Sequence, residues 1–117
     1  MKKDELPIIQ KTYDVIKWYV PIVNRLPRDQ KFMLGERLVT GLYELLEELI
    51  VLRYAPKKLE RLQALNDRLD ILRYQTRLLF DFDLIAVKRY EYAAKLLNGV
   101  GRDLGSWIKQ QQGQATA

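Results

Sequence analysis

Apolar residues recur along this chain at intervals of three and four, the signature of amphipathic α-helix. The clearest instance is Leu62, Leu65, Leu69, Leu72, Thr76 and Leu79. Its strict three–four spacing marks the a and d positions of a bundle helix and predicts one over residues 57–80. A second stripe, Leu34, Leu38, Leu42, Leu45, Leu49 and Leu52, predicts a helix over 29–54. Val39, Leu46 and Ile50 widen that stripe, as expected of a helix covered on more than one side. Ile9, Tyr13, Ile16, Val20 and Val23 predict a first helix over 6–26. In a fourth, over 84–110, Val87, Tyr90, Ala94, Leu97, Gly101, Leu104 and Ile108 turn inward. No segment alternates with period two, so no sheet is expected.

The punctuation fits these limits. Pro7 falls in the first turn of the first helix, where a missing N–H is harmless, and Asp4 and Glu5 suit the positive end of its dipole. Pro21 lies inside that helix; it removes the hydrogen bond to the Lys17 carbonyl and either bends the helix or breaks it. LPRDQ makes a turn with Arg28 or Asp29 near the second N-cap, and Pro56 suits the start of the third helix. DFDL, residues 81–84, is the last turn. Four amphipathic helices joined by short connections lie antiparallel. The expected fold is therefore all-α, an up-down-up-down four-helix bundle over residues 1–112 with a flexible polar tail at 113–117.

At 117 residues the chain has the length of one domain. It contains neither cysteine nor histidine. That excludes disulfides, a thiolate nucleophile and sulfur-bound zinc, and removes the commonest general base. Glu44, Glu47 and Glu48 cluster on the second helix, but a carboxylate-bridged metal centre in a bundle needs inward acids on several helices, usually with Glu-x-x-His. Asp67, Asp70, Asp81 and Asp83 read as outward or turn-bound. The acids are thus expected to form a solvated face or to pair with nearby arginines. There is no GxxxxGK[ST] loop and no GxSxG motif. We expect no catalysis, no metal and no cofactor. No long apolar run suggests a membrane span, and a cytoplasmic location is expected. The net charge of +5 is compatible with nucleic acid and does not diagnose it.

The placement of the cations says more than their number. Lys88, Lys95, Arg102 and Lys109 recur every seven residues, which keeps them on nearly one face with a drift of about 20° per heptad. They form a ridge about 30 Å long at about 1.5 Å per residue. On the third helix Arg73 and Arg77 lie on one flank of the seam, and Arg61 and Arg68 on the other. Such groups neutralise phosphates, meet acids of a protein partner or face only solvent, and spacing leaves all three open. Trp18 and Tyr92 project away from their stripes, a placement commoner at protein interfaces than in base-stacking platforms. Surplus apolar positions on the second helix suggest self-association. Gly101 and Gly105 lie along one side of the fourth helix, where each costs about 1 kcal/mol relative to alanine. Close packing is the expected return, within the bundle or between subunits, and Gly35 and Gly41 offer the same from the second helix.

Three stretches carry a resemblance. YVPIVNRLPRDQKF, ILRYQTRLL and VGRDLGSWI resemble the end of helix one and the following turn, the L-R-[FY]-x-x-x-R element of helix three, and the closing helix of one family. That family is the accessory variability determinant (Avd) proteins of diversity-generating retroelements, with the related four-helix proteins encoded in intervening sequences of large-subunit ribosomal RNA. The likeness spans nearly the whole chain. It implies a four-helix subunit assembling into a barrel-shaped homopentamer with a positively charged surface. It also implies a non-catalytic accessory role: binding the retroelement's reverse transcriptase and nucleic acid, and supporting mutagenic retrohoming, in which template RNA is copied into adenine-mutagenised cDNA. By position, Arg73 and Arg77 match the family's basic pair on helix three, and Arg102 falls in the matched closing string. An RNA-associated protein of the ribosomal type and a plain oligomeric interaction module are the alternatives.

Overall fold

The computed structural model describes residues 6–116, and every regular element in that range is helical. Helix α1 spans Pro7–Asn24. Helix α2 is a composite of Arg28–Gln30, a π-helical turn at Lys31–Gly35, and Glu36–Leu52. Helices α3 and α4 span Leu59–Asp81 and Val87–Thr116. Asp4 and Glu5, the expected dipole partners of α1, lie outside the described residues, as does Ala117.

Cross-helix contacts fix the topology. Gly41 meets Leu72 and Glu48 meets Arg61, so α2 and α3 run antiparallel. Phe80 stacks on Tyr90 while Lys58 reaches Trp107, so α3 and α4 do the same. Lys11 pairs with Asp103 and Trp18 packs on Tyr92, which closes α4 back against α1. The result is a four-helix bundle measuring 50 × 26 × 23 Å.

The core is mostly leucine. All six seam residues of α3 are buried, and α2 contributes Leu38, Leu42, Leu45, Leu49 and Leu52. Two stripes match expectation in part: Ile9, Ile16 and Val23 of α1 and Leu97 and Leu104 of α4 are buried as expected, and other positions differ. In α1 the buried set is Ile8, Ile9, Thr12, Val15, Ile16, Tyr19, Ile22 and Val23, whereas Tyr13 is 50% exposed. Thr12 can turn inward because its hydroxyl donates to the Ile8 carbonyl at 2.8 Å. In α4 the buried positions are Ala93, Leu97, Gly99, Val100 and Leu104, and Val87 at the helix start is 52% exposed. One polar pair crosses the core, between the Tyr19 hydroxyl and Thr76. Burial pushes the Tyr19 phenol well above its ordinary value despite that hydrogen bond, so the group stays protonated and donates.

Helix ends differ from the expected limits by a few residues. Helix α1 continues through Pro21, which is exposed, so the broken-helix alternative falls. Helix α2 begins one residue early, with Pro27 at its N-cap. Helix α3 starts at Leu59 with Lys58 as N-cap, three residues past Pro56. At its other end DFDL leaves the helix: the Leu84 N–H bonds the Leu79 carbonyl at 2.8 Å and the Asp83 N–H bonds Phe80 at 2.9 Å. This is a Schellman closure with Asp83 in the left-handed position at φ 59°, where glycine is usual and aspartate is tolerated. Helical backbone in α4 runs on to Thr116, past residue 110 where the sequence pattern stops.

Candidate partner and nucleic-acid interface

The eight expected cations fall into three groups with different electrostatic surroundings. Arg61 and Arg68 face α2. The Arg61 Nε and Nη2 bind both oxygens of Glu48 at 2.7 and 2.8 Å, and Arg68 Nη1 lies 3.2 Å from Glu44. The two-pronged hydrogen bond from Arg61 holds the Glu48 carboxyl below its ordinary range. These two arginines are therefore largely answered by the acidic half of α2, as the paired-acid reading anticipated.

Arg73 and Arg77 lie on the α3–α4 side, where they line a shallow depression with Asp70, Tyr74 and Tyr90. Each has a local counter-charge. Arg73 Nη1 lies 2.7 Å from Asp70, and Arg77 Nε lies 3.6 Å from Asp81. Tyr74 is 71% exposed, and Tyr90 stacks on Phe80 with ring centroids 4.9 Å apart. The patch is thus close to neutral, rich in planar groups and donors, and about two turns of helix long. Exposed tyrosine and arginine in this proportion are the composition of protein-binding hot spots.

The ridge on α4 has a third character. Lys88, Lys95, Arg102 and Lys109 are all exposed, and none makes an ion pair among the described residues. Of the two acids on this helix, Asp103 is held by Lys11 of α1 at 3.0 Å, which leaves Glu91. Helix α4 sits diagonally across the bundle from the acidic half of α2, so the ridge is also far from the main acidic cluster. Successive cations are about 10.5 Å apart. An uncompensated row of this length attracts a polyanion and releases its counterions on contact.

The remaining expectations are placed as follows. Gly101 packs close: a Cβ there would fall 2.4 Å from Arg73 Nη2 and 3.3 Å from Leu69 Cδ2. Gly105 has nothing within 4 Å of that position among the described residues, so none of them packs closely against it. Gly35 and Gly41 do admit neighbours, Val23 at 2.8 Å and Leu72 at 3.0 Å. Trp18 is half-buried, edge-on to Tyr19 and against Tyr92, and so helps seal the α1–α4 seam in place of projecting outward. On α2, Phe32, Met33, Tyr43, Ile50 and Val51 are exposed, and Ile71 of α3 lines the same depressions as Phe32, Met33 and Val51. The π-helical turn shifts the phase of Phe32 and Met33 relative to the stripe that follows, a local feature the leucine spacing does not reveal.

Among the described residues no cluster of three or more acids is placed to hold a metal, and no helix is long and apolar enough to cross a membrane. What the geometry defines is a four-helix bundle with an arginine–tyrosine patch, a cationic edge that makes no ion pair among the described residues, and an apolar helix face. The chain belongs to the bAvd-like family, whose model matches residues 6–111 and so covers nearly the whole bundle. No curated protein matches the chain.

Proposed function

We propose that this protein is the non-catalytic accessory of a retroelement reverse transcriptase, bringing polymerase and nucleic acid together on a homo-oligomeric, barrel-shaped scaffold. Membership of the bAvd-like family supports the accessory role. The observation that carries the binding assignment is the contrast between the two cationic surfaces. The ridge of Lys88, Lys95, Arg102 and Lys109 has no acidic partner among the described residues and takes the phosphate backbone. The Arg73–Tyr74–Arg77–Tyr90 patch, neutralised by Asp70 and Asp81, takes the polymerase. Exposed apolar residues on α2 supply the contact between copies, and a ring repeats both binding surfaces around its circumference. Contacts that are weak singly then add by multivalency. In this reading the protein contributes position and charge to mutagenic retrohoming in the cytoplasm, and the polymerase performs the chemistry.

The test is co-purification with the reverse transcriptase encoded nearest to this gene, with mass determined by light scattering. Wild-type protein should yield a complex containing several copies of this chain, five if the assembly follows the family resemblance. The folded Arg73→Ala/Arg77→Ala variant should keep its ring and lose the polymerase. Undiminished binding by that variant would sink the assignment. A ring that binds RNA but no polymerase would favour the ribosomal intervening-sequence type of function.

A further inference from the structure

Glycine at position 101 stands in the middle of a 30-residue helix, where it weakens the local backbone. Its surroundings explain what it admits. The absent Cβ would lie 2.4 Å from Arg73 Nη2 and 3.6 Å from Arg73 Cζ, inside the space that the guanidinium occupies. The guanidinium is held from other directions as well. Nη1 is bound to Asp70 at 2.7 Å, while Nε is buried with no hydrogen-bond partner among the described residues. A buried donor left unpaired is a cost that stability alone does not explain. A long, flexible side chain is thereby pinned in one orientation, yet one third of it remains exposed, with side-chain accessibility of 33%.

We propose that Gly101 is a positioning residue for Arg73: it forms a seat on α4 that fixes the α3 guanidinium at the surface before the partner arrives. This inference rests on the reading of Arg73 as a polymerase contact. A free arginine must give up its rotamer freedom on binding, and a seated one has given it up already. Alanine at 101 leaves no room for the guanidinium, the movable end of a flexible chain, whereas Leu69 Cδ2 at 3.3 Å needs to yield by only a few tenths of an ångström. The expected consequence is a protein that folds as well as wild type or better, with Arg73 expelled from its seat.

The experiment compares Gly101→Ala, Arg73→Ala, their combination and Gly105→Ala, measuring both the thermal melt and the affinity for the purified reverse transcriptase. Gly101→Ala should melt no lower than wild type and bind about tenfold more weakly. Gly105→Ala, with open space around its Cβ, should melt higher and bind normally. The combination should bind no more weakly than Arg73→Ala alone, because the seat acts only through its occupant. Wild-type affinity in Gly101→Ala alongside weakened binding in Arg73→Ala overturns the seat while leaving the contact. Wild-type affinity in Arg73→Ala overturns both. Should Gly101→Ala melt low, the combination decides: a restored melt shows that the guanidinium fills the seat, and an unrestored one refutes it.

Discussion

The buried pair between α1 and α3 predicts an unusual order of mutant stabilities. The Thr76 hydroxyl donates its single proton to the Leu72 carbonyl at 2.8 Å, so Tyr19 must be the donor in the bond that joins them. Both side chains are about 1% exposed. Thr76→Val keeps the shape and removes the acceptor, stranding a phenol donor in the core at a cost of about 1–3 kcal/mol. Tyr19→Phe removes the donor and leaves Thr76 bound to Leu72, at a cost of about 1 kcal/mol. With both changes no polar group is left unpaired, and the double variant should approach wild type. Adding Tyr19→Phe to Thr76→Val should therefore raise stability. Thermal melts at fixed protein concentration read this directly, since 1 kcal/mol moves the midpoint of a domain this size by about 4–8 °C. An alkaline titration gives a second reading. Burial raises the folded-state pKa of Tyr19 above its ordinary value of 10.0, so stability is intact below that pH and declines as pH rises beyond it, by about 1.4 kcal/mol per unit. Tyr19→Phe should flatten that decline. Additive losses in the double variant, or an unchanged alkaline slope, would refute the hydrogen-bond assignment.

Other perturbations separate close packing from open space and charge from neutrality. Gly35→Ala places a methyl group 2.8 Å from Val23 Cγ1, a buried side chain with little freedom to move, and should destabilise the bundle by about 1–3 kcal/mol in a denaturant melt. Glu48 is held below its ordinary value of 4.5 by Arg61, so the stability it contributes is present above that pH and is lost as pH falls through the lowered value. Glu48→Gln should shrink the acid-induced loss between about pH 5 and pH 2, measured by circular dichroism, and leave stability at pH 9 less affected than a core substitution would.

The parts of the fold most legible in the sequence were those where one residue type repeats. The α3 seam is buried at every expected position because leucine at three–four spacing has a single solution. The stripes of α1 and α4 were harder because small or polar residues take core positions there. Thr12 satisfies its own hydroxyl on the preceding turn, and the small side chains of Ala93 and Val100 are fully buried. Counting large apolar residues instead pointed to Tyr13 and Val87, which lie at the surface. The charge pattern was half legible. Seven-residue spacing set out the α4 ridge, but separating it from the other cations required the register of α2 on α3 and of α4 on α1. The pairs Glu48–Arg61, Glu44–Arg68 and Lys11–Asp103 join residues far apart in the chain, and no local pattern encodes them. The same holds for Gly101 and Arg73, each visible alone and meaningful only together. The π-helical turn at Lys31–Gly35 left no trace in residue spacing that we can identify.

The most direct test of the division between the two surfaces is the salt dependence of single-stranded RNA binding by three proteins: wild type, a variant with Lys88, Lys95, Arg102 and Lys109 changed to glutamine, and Arg73→Ala/Arg77→Ala. Each phosphate contact contributes about 0.7 to the slope of log affinity against log salt. The ridge variant should therefore lose about 3 from the slope per protomer engaged, and the Arg73/Arg77 variant should keep the wild-type slope. A ridge variant with an unchanged slope, together with a reduced slope in the Arg73/Arg77 variant, would contradict the account and move nucleic acid to the α3 patch.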